Sequence, residues 1–516
     1  MLNRREFLVT GSVAATTTAL ARRAKASAQE PSNFVIGSLE EPGSLSALVQ
    51  LPHHFPADVP QTLLFDSLTQ FMPDGSVSPK LATDWDVSED ERTYTFRLNP
   101  DAAFHDGVPV TAHDVVFTFE ACLDPATNSS SEGLENVAGA TALDDHTVVI
   151  ELSAITPAFL AQGGARGIVP RHLLEGKDIA TDEFNQNPVG NGPYRLASYT
   201  PGEAIVFEAV EDHYRGTVNI GRIEYRVISD QNVLLTQLMS GELSYGLAAP
   251  RDAAVLSGSD TLEIVEVATP RFYDMVPNFD REYWQDIDVR AAILTAIDRE
   301  GIVAGILMGH GTVINANITP ASWAHTPDNL SLHRYDPEAA GALLSNAGWL
   351  PGSNGVREKN GIPFAFTVML YSYDQTLQQA LLVAQQNLGD IGVEMQIERV
   401  EPGVFGARRN DRSFDALARI WNPVYDPDQS GLFQTGNWYG FSNAEIDALC
   451  VEAVSTTDQS SRLPIYHELQ ALLSEELPHL WLYSENELHV LASNVSGLAA
   501  HPVNPFWNIE AWTVSE

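Results

Sequence analysis

The chain has 516 residues, 44% of them hydrophobic, 9% aromatic and 19% charged, a globular composition for two or three domains that excludes a disordered tail, a collagen-like repeat and a small disulfide-stapled scaffold. Its 29 basic residues against 68 acidic ones give a formal charge of −39. No basic face is available for a phosphate backbone or an anionic membrane, so nucleic acid is excluded as a partner. Lysine is scarce, at Lys25, Lys80, Lys177 and Lys359 only. That skew fits either a salt-rich habitat, where a strongly charged surface stays soluble, or high-GC codon use. Cys122 and Cys450 lie far apart in the chain and read as two buried thiols rather than a disulfide.

The first residues read as an address. Arg4-Arg5-Glu6-Phe7-Leu8 is followed by an apolar run from Val9 to Ala21, then Arg22, Arg23 and Lys25, then the small-residue cleavage site Ala26-Ser27-Ala28. The run is too short to span a bilayer as a helix. The pattern resembles a twin-arginine export signal over residues 1–28, and no Cys at the cleavage point calls for a lipid anchor. Cleavage takes away five basic residues and one acidic one, leaving a mature charge of −43.

Further along, polar–apolar alternation predicts strands at 92–98 and 144–152, the second entered through the Asp144-Asp145 turn. Thr111 and an acidic first turn predict a capped helix running to Phe119, with Val115, Val116 and Phe119 on one face. Residues 375–389 predict an amphipathic helix, and Asp390-Ile391-Gly392 a turn into a strand from Val393 to Val400. Such units indicate mixed α/β lobes. Gly190, Gly192 and Pro193 predict a sharp turn whose glycines take backbone angles that other residues resist. His105-Asp106-Gly107 reads as a turn between strand and helix, not a metal site, because a lone His-Asp pair lacks ligand number.

Taken in order, several segments resemble the bacterial extracellular solute-binding proteins of family 5, the peptide, nickel and oligosaccharide receptors of ABC importers. The densest match lies in residues 79–120, through Leu81, Ala82, Trp85, Tyr94, Phe96, Phe104-His105-Asp106-Gly107 and Thr111-Ala112 with Asp114-Val115. Asn187-Pro188-Val189-Gly190-Asn191-Gly192-Pro193-Tyr194 matches a family turn, with Asn191 where Thr is usual. Val289-Arg290-Ala291-Ala292, Ile297-Asp298-Arg299 and Tyr335-Asp336-Pro337-Glu338-Ala339 continue the series. The resemblance implies an α/β, two-lobed periplasmic-binding-protein fold with a hinge and an additional inserted domain. By analogy, residues 29–62, 190–272 and 485–516 make domain I, 63–189 domain II and 273–484 domain III.

The same resemblance places ligand contacts in a domain III strand and loop, where the family carries Trp-x-x-Asp-Tyr or Trp-x-x-x-Tyr. Trp421 and Tyr425 fall on that pattern, and aromatic faces suit an apolar or sugar-like solute. Peptide receptors carry an Asp just before the Tyr to pair with the peptide ammonium; this chain has Val424. Asp426 or Asp428 could take over as cation partner, or Arg419 could bind an anionic group, while Asp426-Pro427-Asp428 also reads as a solvated turn. Trp438 and Tyr439, between two glycines, are further candidates that core packing would equally explain. Glu40 and Glu41 occupy a segment that approaches the cleft in the family. His53-His54 and the scattered histidines establish no metal cluster, so neither metal nor cofactor is expected.

The function this implies is a periplasmic, monomeric receptor that captures a small peptide-like, opine-like or sugar-like solute by hinge closure and hands it to ABC importer permease subunits. The alternatives are an exported enzyme and a chemosensory binding protein on the same scaffold. The chain has no Gly-x-Ser-x-Gly elbow, no His-Glu-x-x-His helix and no phosphate-cradling glycine loop, which argues against the enzyme.

Overall fold

The computed structural model describes residues 33–48, 55–127, 129, 133–423 and 425–515. The export signal, His53 and His54 lie outside the described residues.

Two large apolar cores organise the chain, with a small third one around Leu234, Leu238 and Leu243. One gathers buried residues from Phe272 to Tyr483. The other joins residues from Phe34 to Tyr245 with Leu491, Val495, Phe506, Ile509 and Trp512 near the C-terminus. A twelve-stranded sheet runs through both. In the first core the parallel strands Ala365–Tyr371 and Glu394–Val400 lie beside Ala416–Trp421 and Phe272–Pro277. In the second, Asn33–Ser38 pairs in parallel with Arg222–Val227 and Tyr245–Ala248, and Ala204–Ala209 and Tyr194–Thr200 complete the edge.

The 13-residue strand Leu480–Ala492 joins these halves. Its first part pairs with Phe272–Pro277 and Gly311–Val313, and its second with Leu262–Ala268 and Tyr245–Ala248. A second crossing runs beside it through Thr269–Arg271. The Thr269 hydroxyl donates to the Glu485 carbonyl (2.8 Å), and Arg271 pairs with Glu487. Burial would raise the Glu487 pKa, but Arg271 and His489 together outweigh it and bring it down to about 2.

The elements follow from local sequence. Thr93–Leu98 and Thr147–Leu152 alternate buried and open positions and pair within a separate four-stranded sheet. Against that sheet packs the helix Ala112–Leu123. Thr111 begins it with a reciprocal capping box to Asp114, and the helix continues one turn past Phe119. The helix Gln375–Asp390 buries Leu377, Ala380, Leu381, Ala384 and Leu388 on one stripe and feeds Glu394–Val400. Both cysteines are free and buried.

The turn at Gly190 and Gly192 differs from its sequence reading. Neither glycine has positive φ; what excludes a side chain is the approach of another strand of chain. A Cβ on Gly190 would lie 1.8 Å from the Leu64 carbonyl oxygen, and one on Gly192 would lie 2.5 Å from that of Leu63. His105 holds this turn. Its Nδ1 accepts from the Gly190 N–H (3.2 Å) and its Nε2 donates to the Gly192 carbonyl (3.0 Å). Burial pushes the His105 pKa down to about 4, so the neutral ring that this bonding requires is the stable one. Asp106 accepts from His172 (2.7 Å), and Gly107, at φ +87, makes the turn.

Candidate binding site

Two rings from distant parts of the chain, Phe71 and Tyr425, meet. Phe71 ends the strand Thr69–Phe71, whose hairpin partner is Val77–Pro79. Tyr425 stands in the loop after Ala416–Trp421, and the ring centroids are 4.9 Å apart at 61°, an edge-on arrangement favoured by the ring quadrupoles. Near them the turn at Gly75 presses on Trp323, where a Cβ would come within 2.5 Å of the indole. Farther out, the Glu91 carboxylate accepts from the Thr457 N–H (2.6 Å) and the Thr456 hydroxyl (3.2 Å). These contacts tie the Phe71 side of the molecule to the Tyr425 side.

Phe71 and Tyr425 border cavities on both sides of their contact. The first, partly open to solvent, is walled by Trp323, Asn317, Gln429 and several prolines. The second, also partly open to solvent, is walled by Gln70, Lys80, His501 and Trp507, among others. His501 is neutral by construction. Its Nδ1 accepts from the Val503 and Asn504 N–H groups (3.0 and 2.9 Å), and its Nε2 donates to the Phe71 carbonyl (3.3 Å). Burial pushes its pKa down to about 4.

The charged groups near both cavities are already paired. Lys80 lies 3.2 Å from the fully buried Asp66, which also receives both Arg215 nitrogens (2.9 Å each) and the Tyr214 hydroxyl (2.6 Å). Burial would raise the Asp66 pKa, yet Lys80 and Arg215 hold it well below the usual carboxylate range. Asn191, the departure from the family turn, accepts the Asp66 N–H through its side chain (2.9 Å). Asp426 borders the first cavity, and Arg462 grips both its oxygens (2.6 and 2.8 Å). Both side chains of that pair are almost fully buried.

The sequence candidates therefore separate. Tyr425 and Asp426 border the first cavity, and Tyr425 borders the second as well. Asp428 is turned to its own loop, accepting from the Ser430 N–H (2.9 Å) and hydroxyl (2.5 Å). Trp421 is half-buried and borders neither cavity; its indole donates to Asp274 (2.9 Å), and Asp274 also accepts from His479 (2.7 Å), both of them fully buried. Arg419 lies 3.4 Å over the Trp421 ring, and burial lowers its pKa. Tyr439 is wholly buried, donating to the Leu432 carbonyl (2.8 Å). Trp438 packs against it and under Arg409.

Glu41 accepts from the Tyr199 hydroxyl (2.7 Å) and the Gly202 N–H (2.8 Å), so it braces a turn of its own half. Glu40 is exposed. Sequence reasoning did not find Phe71, Asn317, Lys80 or His501. Lys80 stood out only as one of few lysines, and His501 only as one of the scattered histidines. Among the described residues, no group of three or more His, Cys, Asp or Glu is placed to hold a metal. No helix among them is long and apolar enough to cross a membrane.

Comparison with known proteins identifies the family and the fold. The family model described as bacterial extracellular solute-binding proteins, family 5 Middle, matches residues 76–443. The oligopeptide-binding protein AppA of Bacillus subtilis (strain 168) is 27% identical over 529 aligned residues, covering 99% of this chain and 96% of its own. Its structure in complex with a nonapeptide superposes with a TM-score of 0.79 over 94% of this chain and all of that one. NikZ from Campylobacter jejuni, solved with Ni(L-His), is also 27% identical with a TM-score of 0.79, over 93% of this chain and 99% of its own.

Proposed function

This chain belongs to the bacterial extracellular solute-binding proteins of family 5, the solute-capturing components of ABC importers, and from that membership we propose that its solute is of the peptide class. The observation that carries the reading is the pair of cavities meeting at Phe71 and Tyr425, each bordered by residues from both halves. A short peptide is extended, carries alternating donors and acceptors, and can thread past such a ring pair. The charged residues bordering the cavities are already paired, so the solute is recognised by neutral hydrogen bonds and ring contacts. Micromolar affinity needs about 8 kcal/mol net, which a desolvated aromatic contact and a few hydrogen bonds supply. Similarity to a nonapeptide-bound relative supports the reading.

In this reading domains I (29–62, 190–272, 485–516) and II (63–189) close on domain III (273–484). The bend lies at the paired crossings of Thr269–Arg271 and Leu480–Ala492. Contacts made to both halves lower the free energy of the closed form relative to the open one, and permease subunits read that form. The protein acts as a monomer, reaches the periplasm by the twin-arginine route and leaves its solute chemically unchanged.

The test is calorimetric titration of pooled di- to nonapeptides, with nickel–histidine and an oligosaccharide mixture alongside. Heat and a raised melting temperature with peptides alone are the expected result. Binding of the nickel chelate or the sugars, with none of the peptides, overturns the peptide assignment.

A further inference from the structure

The cavity on the Trp323 side carries polar groups that nothing answers. Asn317 is only 1% exposed, and neither its Nδ2 nor its Oδ1 has a hydrogen-bond partner. Gln429, bordering the same cavity, donates from Nε2 to the Asn317 main-chain carbonyl (3.2 Å), and its Oε1 is buried without a partner. A buried amide left unbonded costs about 1–3 kcal/mol, and native structures leave few such groups. Here three such atoms belong to two adjacent residues at the wall of a cavity.

The surrounding polar groups are already occupied. The Thr319 hydroxyl donates to the Thr269 carbonyl (2.8 Å), the Ser322 hydroxyl accepts from the Ala324 N–H (3.3 Å), and Asp426 is held by Arg462. The rest of the wall is apolar, from Phe71, Ile318, Trp323 and prolines such as Pro270 and Pro423. What the two amides offer is one donor group and two acceptors in a ring-lined space.

We propose that this cavity is an amide-reading subsite, in which Asn317 donates through Nδ2 to a carbonyl oxygen of the solute and accepts its N–H through Oδ1, with Gln429 Oε1 as a second acceptor. The chemical class it takes is an uncharged secondary or primary amide flanked by apolar groups. A free carboxylate or ammonium is rejected, since its charge would be buried without a counter-ion. The inference rests on the peptide reading for the identity of the whole solute, but the subsite itself is defined by amide chemistry.

The experiment has two arms. In the first, crystals of the wild-type protein are soaked with N-methylacetamide, and with acetate and methylammonium as charged counterparts. The amide seats on Asn317 and the ions do not. Absence of the amide from this cavity, or equal occupancy by the ions, overturns the subsite. In the second, Asn317→Leu and Asn317→Asp are titrated with pooled tripeptides, and each weakens binding at least tenfold.

Without any added probe, the melting temperature of Asn317→Leu holds or rises, because an apolar side chain of similar size replaces an unbonded amide. A fall would mean that the amide is bonded within the unliganded fold, which overturns the inference. Tripeptides that bind the wild type and both variants equally also overturn it, while leaving the peptide reading intact. N-methylacetamide seated on Asn317 in a protein that binds no peptide rejects the peptide reading and leaves the subsite standing.

Discussion

On one side of the Phe71–Tyr425 contact the cavity wall is made of prolines, rings and the unbonded amides of Asn317 and Gln429. On the other side Lys80 stands at the wall with Asp66, Arg215 and Tyr214 behind it. On the first wall the Asn317 amide and the Gln429 Oε1 have no partner, while the one charge there, Asp426, is held by Arg462; on the second the charges are partnered to saturation. The difference separates recognition from support. Paired buried charges hold a shape and resist change, whereas unpaired neutral amides gain most from a guest that completes them.

The largest effect should come from the saturated side. Asp66→Ala leaves Lys80 buried without its carboxylate and Arg215 with only Glu510, and we expect a loss of about 3–5 kcal/mol in denaturant unfolding. A loss under about 1 kcal/mol would show that these charges are solvated and that the two walls do not differ as described.

The next test uses pH. His501 titrates at about 4 when folded and near 6.5 in the unfolded chain. The unfolded chain therefore takes up the proton first as pH falls, and stability drops between pH 6.5 and 4 by about 3 kcal/mol from this group. His105, also brought to about 4, acts in the same direction. Glu487, at about 2, stays ionised throughout that window and does not offset them. Unfolding measured at pH 7 and pH 4.5 should show a smaller difference in His501→Gln than in the wild type; an unchanged difference contradicts a neutral His501.

Binding and stability should part company along the Ala416–Trp421 strand and its loop. Tyr425→Ala merges the cavities and weakens peptide binding at least tenfold, about 1.4 kcal/mol, with cooperative unfolding retained. Trp421→Ala removes the indole from Asp274 and costs about 2–3 kcal/mol of stability. It also weakens binding at least tenfold, by releasing the strand that carries the Tyr425 loop. Calorimetry and melting curves on both variants check the split, and unchanged affinity in Trp421→Ala shows that the Tyr425 loop is held without this indole. The smallest effect is expected for Glu91→Gln, which weakens the bonds to Thr456 and Thr457 across the gap. A few-fold loss of affinity with unchanged stability sharpens the closure reading, and no change counts against Glu91 as a latch.

Local structure was legible where the signal was local. The capped helix after Thr111, the alternating strands near Tyr94 and Val148, and the helix from Gln375 are each written in a short window of residues. The family was legible because its motifs recur in order along the chain. The cleft chemistry was not, because it depends on partners distant in sequence: Asp426 meets Arg462, 36 positions on, and Phe71 meets Tyr425 from the other end of the chain. Tyr439, between two glycines in Gly-Asn-Trp-Tyr-Gly, suited a ligand contact and core packing alike, and its ring fills the core beside His479. Asn317 belongs to none of the motifs quoted, and only burial makes it conspicuous.

The most direct measurement is native mass spectrometry of the mature protein isolated from its own cells. A retained mass matching one or more short peptides, present in the wild type and lost in Tyr425→Ala, is the predicted result. A retained nickel chelate or sugar, or a peptide held equally well without the Tyr425 ring, would contradict the cleft described here.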